Sequence, residues 1–182
     1  MPDRRTFLTL LIAGAFAPAA SAHTLYNQWI VFRQKHLLIG SHRKDLVTYN
    51  LAREVVAVLD HLLPEAKARP ARAPHPERLA SLMGTGQLYL SVIGRAHAGQ
   101  MRAGAERFAP YGEIPLTVIA DLGDHLLVGH ADFPKRHAWL VAAALRDGGY
   151  IAADAAPVDG MPRHPGAEAM LAGVPLEELP ET

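Results

Sequence analysis

The residues best suited to hold a ligand stand together in one polar stretch, Ser41-His42-Arg43-Lys44. Arginine presents a planar fork of N–H donors that matches a carboxylate or a phosphate, and lysine adds a compact positive charge. Tyr49 and Asn50 follow and carry a hydroxyl and an amide that could point at the same spot. This pattern predicts a site for a small anion. The plain alternatives are a solvated basic loop and a tyrosine packed on the next helix.

The polar stretch lies between a predicted strand and a predicted helix. Leu37–Ile39 is a short apolar run, Gly40-Ser41 indicates a turn, and apolar residues then recur at helical spacing until Pro64. Such a unit places its loop at the carboxyl end of a strand and the amino end of a helix. Free backbone N–H groups and the helix dipole favour an anion there.

A second predicted strand is followed by a residue that could contact the same ligand. Leu88–Ile93 is apolar and is followed directly by Gly94 and Arg95. If the two strands are neighbours, Arg95 lies beside the polar stretch. The predicted ligand contacts are then Ser41, His42, Arg43, Tyr49 and Arg95.

The order of all predicted elements indicates an α/β sheet with helices on both faces. Pro70 confines a weak strand, Glu65–Ala73, to a sheet edge or breaks it. The later strands form a pair or one bent strand, Ile114–Leu122 and His125–His130. The later helices are Glu77–Met83, one beginning at Gly94, and one from Phe133-Pro134 to about Arg146, with a further turn at Gly166–Leu171.

Composition limits the class of protein. The chain has 182 residues, 18 Lys+Arg, 18 Asp+Glu and no cysteine, which is enough for one domain with its own core. The charge is balanced and no basic stripe is present, so nucleic acid is not an expected partner. The absence of cysteine excludes disulfides and thiol chemistry.

The first residues predict export. Arg4-Arg5 precede an apolar run, Leu8–Phe16, and a small-residue pattern, Ala20-Ser21-Ala22. The run is shorter than the about 20 residues that span a bilayer, so we expect a twin-arginine signal peptide over residues 1–22 and a periplasmic location. An uncleaved anchor or a chance arginine pair is the alternative. The remaining predicted parts are an apolar arm (23–35), an α/β lobe (36–150) and an Ala/Pro-rich tail (151–182).

The sequence carries no catalytic signature. Gly-x-Ser-x-Gly, His-Glu-x-x-His, Gly-x-Gly-x-x-Gly and the P-loop are all absent. Asp121, Asp124 and Asp132 could form an acid cluster, although charges at strand ends are usually solvated. We therefore expect a protein that is not an enzyme and has no cofactor.

Metal binding is considered because the chain has ten histidines. An amino-terminal His23 could chelate copper together with a second imidazole. The candidates for that second ligand are His36, His42, His125 and His130, but their spacing selects no pair. No metal site is expected.

Three stretches of the chain carry a family resemblance: LLIGSHRKDLVTYNLAREVV, ARAPHPERLASLMGTGQLYLSVI and RHPGAEAMLAGVPLEELP. In this order they resemble the TAXI-type extracytoplasmic solute receptors of TRAP transporters. The first is similar to that family's first strand, ligand loop and first helix, the second to its next βαβ unit, and the third to a His-Pro-Gly-Ala segment near its carboxyl end.

The resemblance implies a type II periplasmic-binding-protein-like sheet. Here it would be reduced to a single lobe, because HADFPKRHAWLVAAAL runs straight from a strand into a late helix of the first lobe. It also implies a small organic anion at the carboxyl ends of the strands and a TRAP-type membrane permease or other periplasmic protein as partner. The alternative is a non-catalytic accessory or structural subunit that docks on a periplasmic enzyme complex through His23–Phe32 and the tail.

Overall fold

A computed structural model describes residues 35–152, 158 and 160–180. The predicted signal peptide, residues 1–22, and the predicted arm as far as residue 34 lie outside the described residues.

One mixed sheet forms the middle of the domain. Its strands are β1 Leu38–His42, β2 Arg69–Ala73, β3 Leu90–Gly94, β4 Leu116–Asp121 and β5 His125–His130. They lie in the order β2-β1-β3-β5-β4. β1 is parallel to β2 and β3, whereas β5 is antiparallel to β3 and β4. The predicted strand pair is therefore a hairpin, β4–β5.

Five helices accompany the sheet within the described residues. They are α1 Leu46–Leu62, α2 Pro76–Gly84, α3 Arg95–Arg102, α4 Lys135–Asp147 and α5 Pro165–Leu171, with short 3-10 segments at Pro64–Ala66, Glu106–Tyr111 and Leu176–Glu178. Among these helices, none has the length and apolar character needed to cross a bilayer.

Alternating residues of the strands build two cores, one on each face of the sheet. Leu90 and Val92 of β3 pack with α1, α4 and α5 on one face. Ile93 packs with α2 and α3 on the other, because successive strand residues point to opposite faces. The predicted α/β class, with helices on both faces, is confirmed.

The weak strand predicted around Pro70 is β2, at one edge of the sheet. Proline has no N–H to donate to a further strand, so an edge position tolerates it. Because β2 takes the edge, β1 lies between β2 and β3, and its carboxyl end is enclosed by neighbours on both sides.

The turn predicted at Gly40-Ser41 is wrong, because both residues lie inside β1. A Cβ on Gly40 would come within 2.5 Å of Leu88 Cδ2, 2.8 Å of Ser91 Oγ and 2.9 Å of Leu79 Cδ1. Glycine is required here by close packing against β3 and α2. The chain turns only after His42, where the Asp45 N–H donates to the His42 carbonyl at 3.4 Å.

Residues 160–180 belong to the packed domain. The Val118 N–H donates to the Pro162 carbonyl at 2.9 Å and the His164 N–H donates to the Val118 carbonyl at 2.8 Å, which ties this segment to β4. α5 then packs on α4 so closely that a Cβ on Gly166 would collide with the Lys135 carbonyl oxygen.

We expect Gly166→Ala to lower the free energy of unfolding by about 1–3 kcal/mol, because either α5 or α4 must shift to accept the methyl group. Urea unfolding followed by circular dichroism measures the change. Gly99→Ala is the matched control, since a Cβ at Gly99 in α3 meets open space and alanine favours a helix by about 1 kcal/mol. Equal losses in both variants would contradict the packing argument.

Candidate functional site

Three helices begin at one edge of the sheet. α1, α2 and α3 follow the carboxyl ends of the parallel strands β1, β2 and β3. β4 ends and β5 begins at this same edge, since β5 runs antiparallel to β3 and β4. We call it the carboxyl edge. Helix amino termini carry free N–H groups and the positive end of the dipole, so the edge is suited to negative charge.

The three helix starts differ in how their N–H groups are satisfied. The Asp45 side chain accepts from the Val47 and Thr48 N–H groups at the start of α1. His75 accepts from the Arg78 N–H at the start of α2. α3 begins at Gly94 with no side-chain cap among the described residues, and its first N–H, on Arg95, donates to the Asp124 carbonyl at 3.1 Å. The amino terminus of α3 is therefore the one left open beyond its first N–H.

His42 is the buried polar residue next to this open terminus. It is the last residue of β1 and is 3% exposed. Its ring meets the ring of His97, in the first turn of α3, edge to face with 6.3 Å between centroids. Neither ring nitrogen has a hydrogen-bond partner within the described part of the chain. Buried polar atoms in native proteins are nearly always paired. The two ring nitrogens of His42 are therefore candidates for contact with a ligand.

Burial lowers the pKa of His42 below its usual value. The carboxylates of Asp45 and Glu77 oppose this effect, while His97 and Lys44 add to it. The ring is thus neutral near pH 7 and presents one N–H donor and one acceptor lone pair.

Asp45 connects the start of α1 with the start of β5 at the carboxyl edge. Its Oδ1 accepts the α1 N–H groups at 2.9 and 3.3 Å, and its Oδ2 lies 3.4 Å from His125 Nε2 at the start of β5. Burial alone would raise the pKa of this carboxyl, but the backbone hydrogen bonds and His125 lower it below its usual value. Asp45 therefore stays ionised and is already partnered.

Three of the predicted contact residues are engaged elsewhere. The Ser41 hydroxyl is buried and donates to the Ala71 carbonyl of β2 at 3.2 Å. Tyr49 lies under the Arg72 guanidinium, whose carbon is 4.4 Å from the ring centroid. The Arg95 side chain donates to the Gly123 carbonyl at 2.6 Å and pairs with Asp121.

The remaining two predicted contacts are at the site. β1 and β3 are neighbours, as the prediction for Arg95 assumed. His42 occupies the buried centre of the carboxyl edge, and Arg43 is exposed beside it. Sequence reasoning missed His97 and the roles of Asp45 and His125. An aspartate just before a helical pattern is a recognisable N-cap signal, whereas nothing local marks His97.

The aspartates and histidines that were considered as an acid cluster or as metal ligands do not lie together. Asp121 is at the carboxyl edge, whereas Asp132 follows β5 at the opposite edge and its side chain is 82% exposed. His36 and His130 also lie at that opposite edge, away from His42. Across the described residues, no three His, Asp or Glu side chains are grouped so as to hold a metal ion.

No protein-family model, curated protein or solved structure matches this chain. The resemblance drawn from the sequence therefore stays a prediction, and the geometry of the carboxyl edge is the basis of the proposed function.

His164 offers a contrast within the same molecule. It is fully buried, its Nδ1 accepts from the Gly166 N–H at 3.1 Å, and its Nε2 lies 3.0 Å from the Phe133 carbonyl. These partners select the neutral tautomer with the proton on Nε2. Burial lowers the pKa of His164 as well. This histidine is a structural cap for α5, and the His-Pro-Gly-Ala segment is accounted for by packing.

We expect His42→Leu to raise the free energy of unfolding by about 1–3 kcal/mol, because it removes two buried nitrogens that have no partner and preserves the apolar volume. Urea unfolding near pH 7.5 measures the change. His164→Leu should have the opposite sign, since it leaves the Gly166 N–H and the Phe133 carbonyl unpaired. A loss of stability in His42→Leu would show that the ring is satisfied in the folded protein.

Stability should fall as the pH drops below about 6.5, the usual pKa of histidine in an unfolded chain. His42 and His164 both have lowered pKa values when folded, so the unfolded state binds more protons in this range. Each contributes a slope of at most about 1.4 kcal/mol per pH unit. The measurement is urea unfolding between about pH 7.5 and 5.5; His42→Leu should flatten the slope, and an unchanged slope in that variant would contradict the assignment.

Proposed function

We propose that this chain is an exported, non-catalytic binding protein that holds a small organic anion at its carboxyl edge. The observation that carries the proposal is the His42 imidazole, buried without a partner beside the uncapped amino terminus of α3. An anion at that position accepts from the backbone N–H groups and from the ring together.

The charges around the edge support an anion as the ligand. Each of three nearby carboxylates already has a partner: Asp45 has His125, Asp121 has Arg95, and Glu77 has Arg107. Paired carboxylates repel a bound anion less than free ones do.

Two cations beside the site are free to act. Arg43 and Lys44 are exposed, and neither forms an ion pair with any other residue in the described ranges. A ligand carboxylate can be captured first by these side chains and then reach the buried donors.

The twin-arginine pattern and the resemblance to TAXI-type receptors support a periplasmic location for the proposed activity, with a TRAP-type permease as the proposed partner. In those receptors a second lobe closes over the ligand. The sheet described here forms one lobe, so the ligand would stay partly open to solvent or be covered by a partner.

The test is thermal unfolding of the purified protein with sodium acetate, succinate, glutamate or phosphate, each against sodium chloride at equal ionic strength. We expect at least one organic anion to raise the midpoint by several degrees, because a ligand that binds only the folded state stabilises it, by about 2.7 kcal/mol at a hundredfold excess over its Kd. No shift with any of these anions would contradict the proposal.

Charge variants locate the site. Arg43→Gln and Lys44→Gln should each weaken binding about tenfold, the usual effect of losing a charge-assisted hydrogen bond. Arg53→Gln is the matched control, because Arg53 is an exposed arginine further along α1. Equal affinity in all three variants would place the anion elsewhere.

A protein partner is the second candidate, favoured by two exposed apolar residues at the start of α1. Leu46 is 63% exposed and Val47 is 52% exposed, next to Arg43 and Lys44. In this case the chain is an accessory subunit that docks by its carboxyl edge. Native mass spectrometry of the protein from its own host distinguishes the two: a small adduct supports the anion, and a stable complex that Leu46→Ser abolishes supports the subunit.

A further inference from the structure

The His42 ring lies among charged and titratable side chains. The groups that face this ring come from each neighbouring element: Lys44 and Asp45 from the loop before α1, Glu77 from the first turn of α2, and His97 from the first turn of α3. Two are carboxylates and two are cationic or titratable, so their effects on the ring partly cancel.

The two carboxylates do not reach His42 as hydrogen-bond acceptors. Asp45 accepts from α1 and meets His125, and Glu77 meets His75 Nδ1 at 2.9 Å and Arg107 at 3.6 Å. Without a bound anion, a protonated His42 would therefore be a buried cation without a direct partner, next to a positive helix end. That arrangement is unfavourable, and the ring stays neutral.

An anion reverses this balance. A carboxylate or phosphate oxygen at the α3 terminus would accept the His42 N–H, and its negative charge would stabilise the imidazolium in a poorly solvated position. We infer that the site binds its anion together with one proton, which makes His42 an imidazolium that pairs with the anion's oxygen. This inference rests on the proposed function.

Affinity should then rise as the pH falls, by at most tenfold per pH unit, and a rise in pH should release the anion. The limit follows because one proton is bound for each anion.

The test follows the ring Cε1–H signals of the histidines by NMR as a function of pH, with sodium acetate, succinate, glutamate or phosphate in turn, and with sodium chloride at equal ionic strength. His42→Gln assigns the His42 signal. In the presence of the bound anion the His42 midpoint should rise by at least about one pH unit. His164 is the internal control, since it is equally buried but is bonded to Phe133 and Gly166, and its midpoint should not move.

The outcomes separate the two proposals. A shifted His42 midpoint with an unchanged His164 supports proton-coupled binding. Perturbed amide signals at Arg43–Asp45 and in α3 with an unchanged His42 midpoint overturn it and leave the anion site standing. No perturbation with any of the four anions overturns both, and equal shifts in His42 and His164 indicate an effect of salt and overturn the inference.

Discussion

The Asp45 carboxylate joins the elements that form the carboxyl edge. One oxygen caps α1 and the other meets His125 at the start of β5. Because β3 lies between β1 and β5 in the sheet, this contact reaches across β3 and links the loop after β1 to the far side of the edge. His42, at the end of β1, is buried and meets the His97 ring in the first turn of α3. Its position is determined by the backbone around it rather than by hydrogen bonds of its own.

Two buried histidines show how the same side chain serves stability in one place and opposes it in another. His164 has a donor on one nitrogen and an acceptor on the other, and it holds α5 against α4. His42 has neither within the described residues. An unpaired buried polar group costs about 1–3 kcal/mol, which is a large share of the about 5–15 kcal/mol that stabilises a small domain. Proteins depart from such local rules chiefly at functional or strained sites.

Much of the fold was predictable because it depends on local pattern. Helical spacing and strand alternation identified α1, β3 and α4 within a few residues, and Pro70 placed β2 at an edge. Gly40 was misread because glycine serves two purposes, turns and close packing, and only the neighbours Leu88, Ser91 and Leu79 show which applies. Arg95 was correctly placed at the edge, but Asp121 and the Gly123 carbonyl, 26 and 28 residues away, direct its side chain to the β4–β5 turn.

The sequence by itself determined the α/β class, the strand–loop–helix unit around His42 and the basic pair that follows it, since each depends on residues close together in the chain. Tertiary structure decided which of these side chains remain free. Ser41 and Tyr49 are engaged with Ala71 and Arg72 of β2, whereas His42 meets His97 of α3 and has no acceptor or donor within the described residues. A side chain's partners come from strands and helices far away in sequence, and local periodicity holds no information about them.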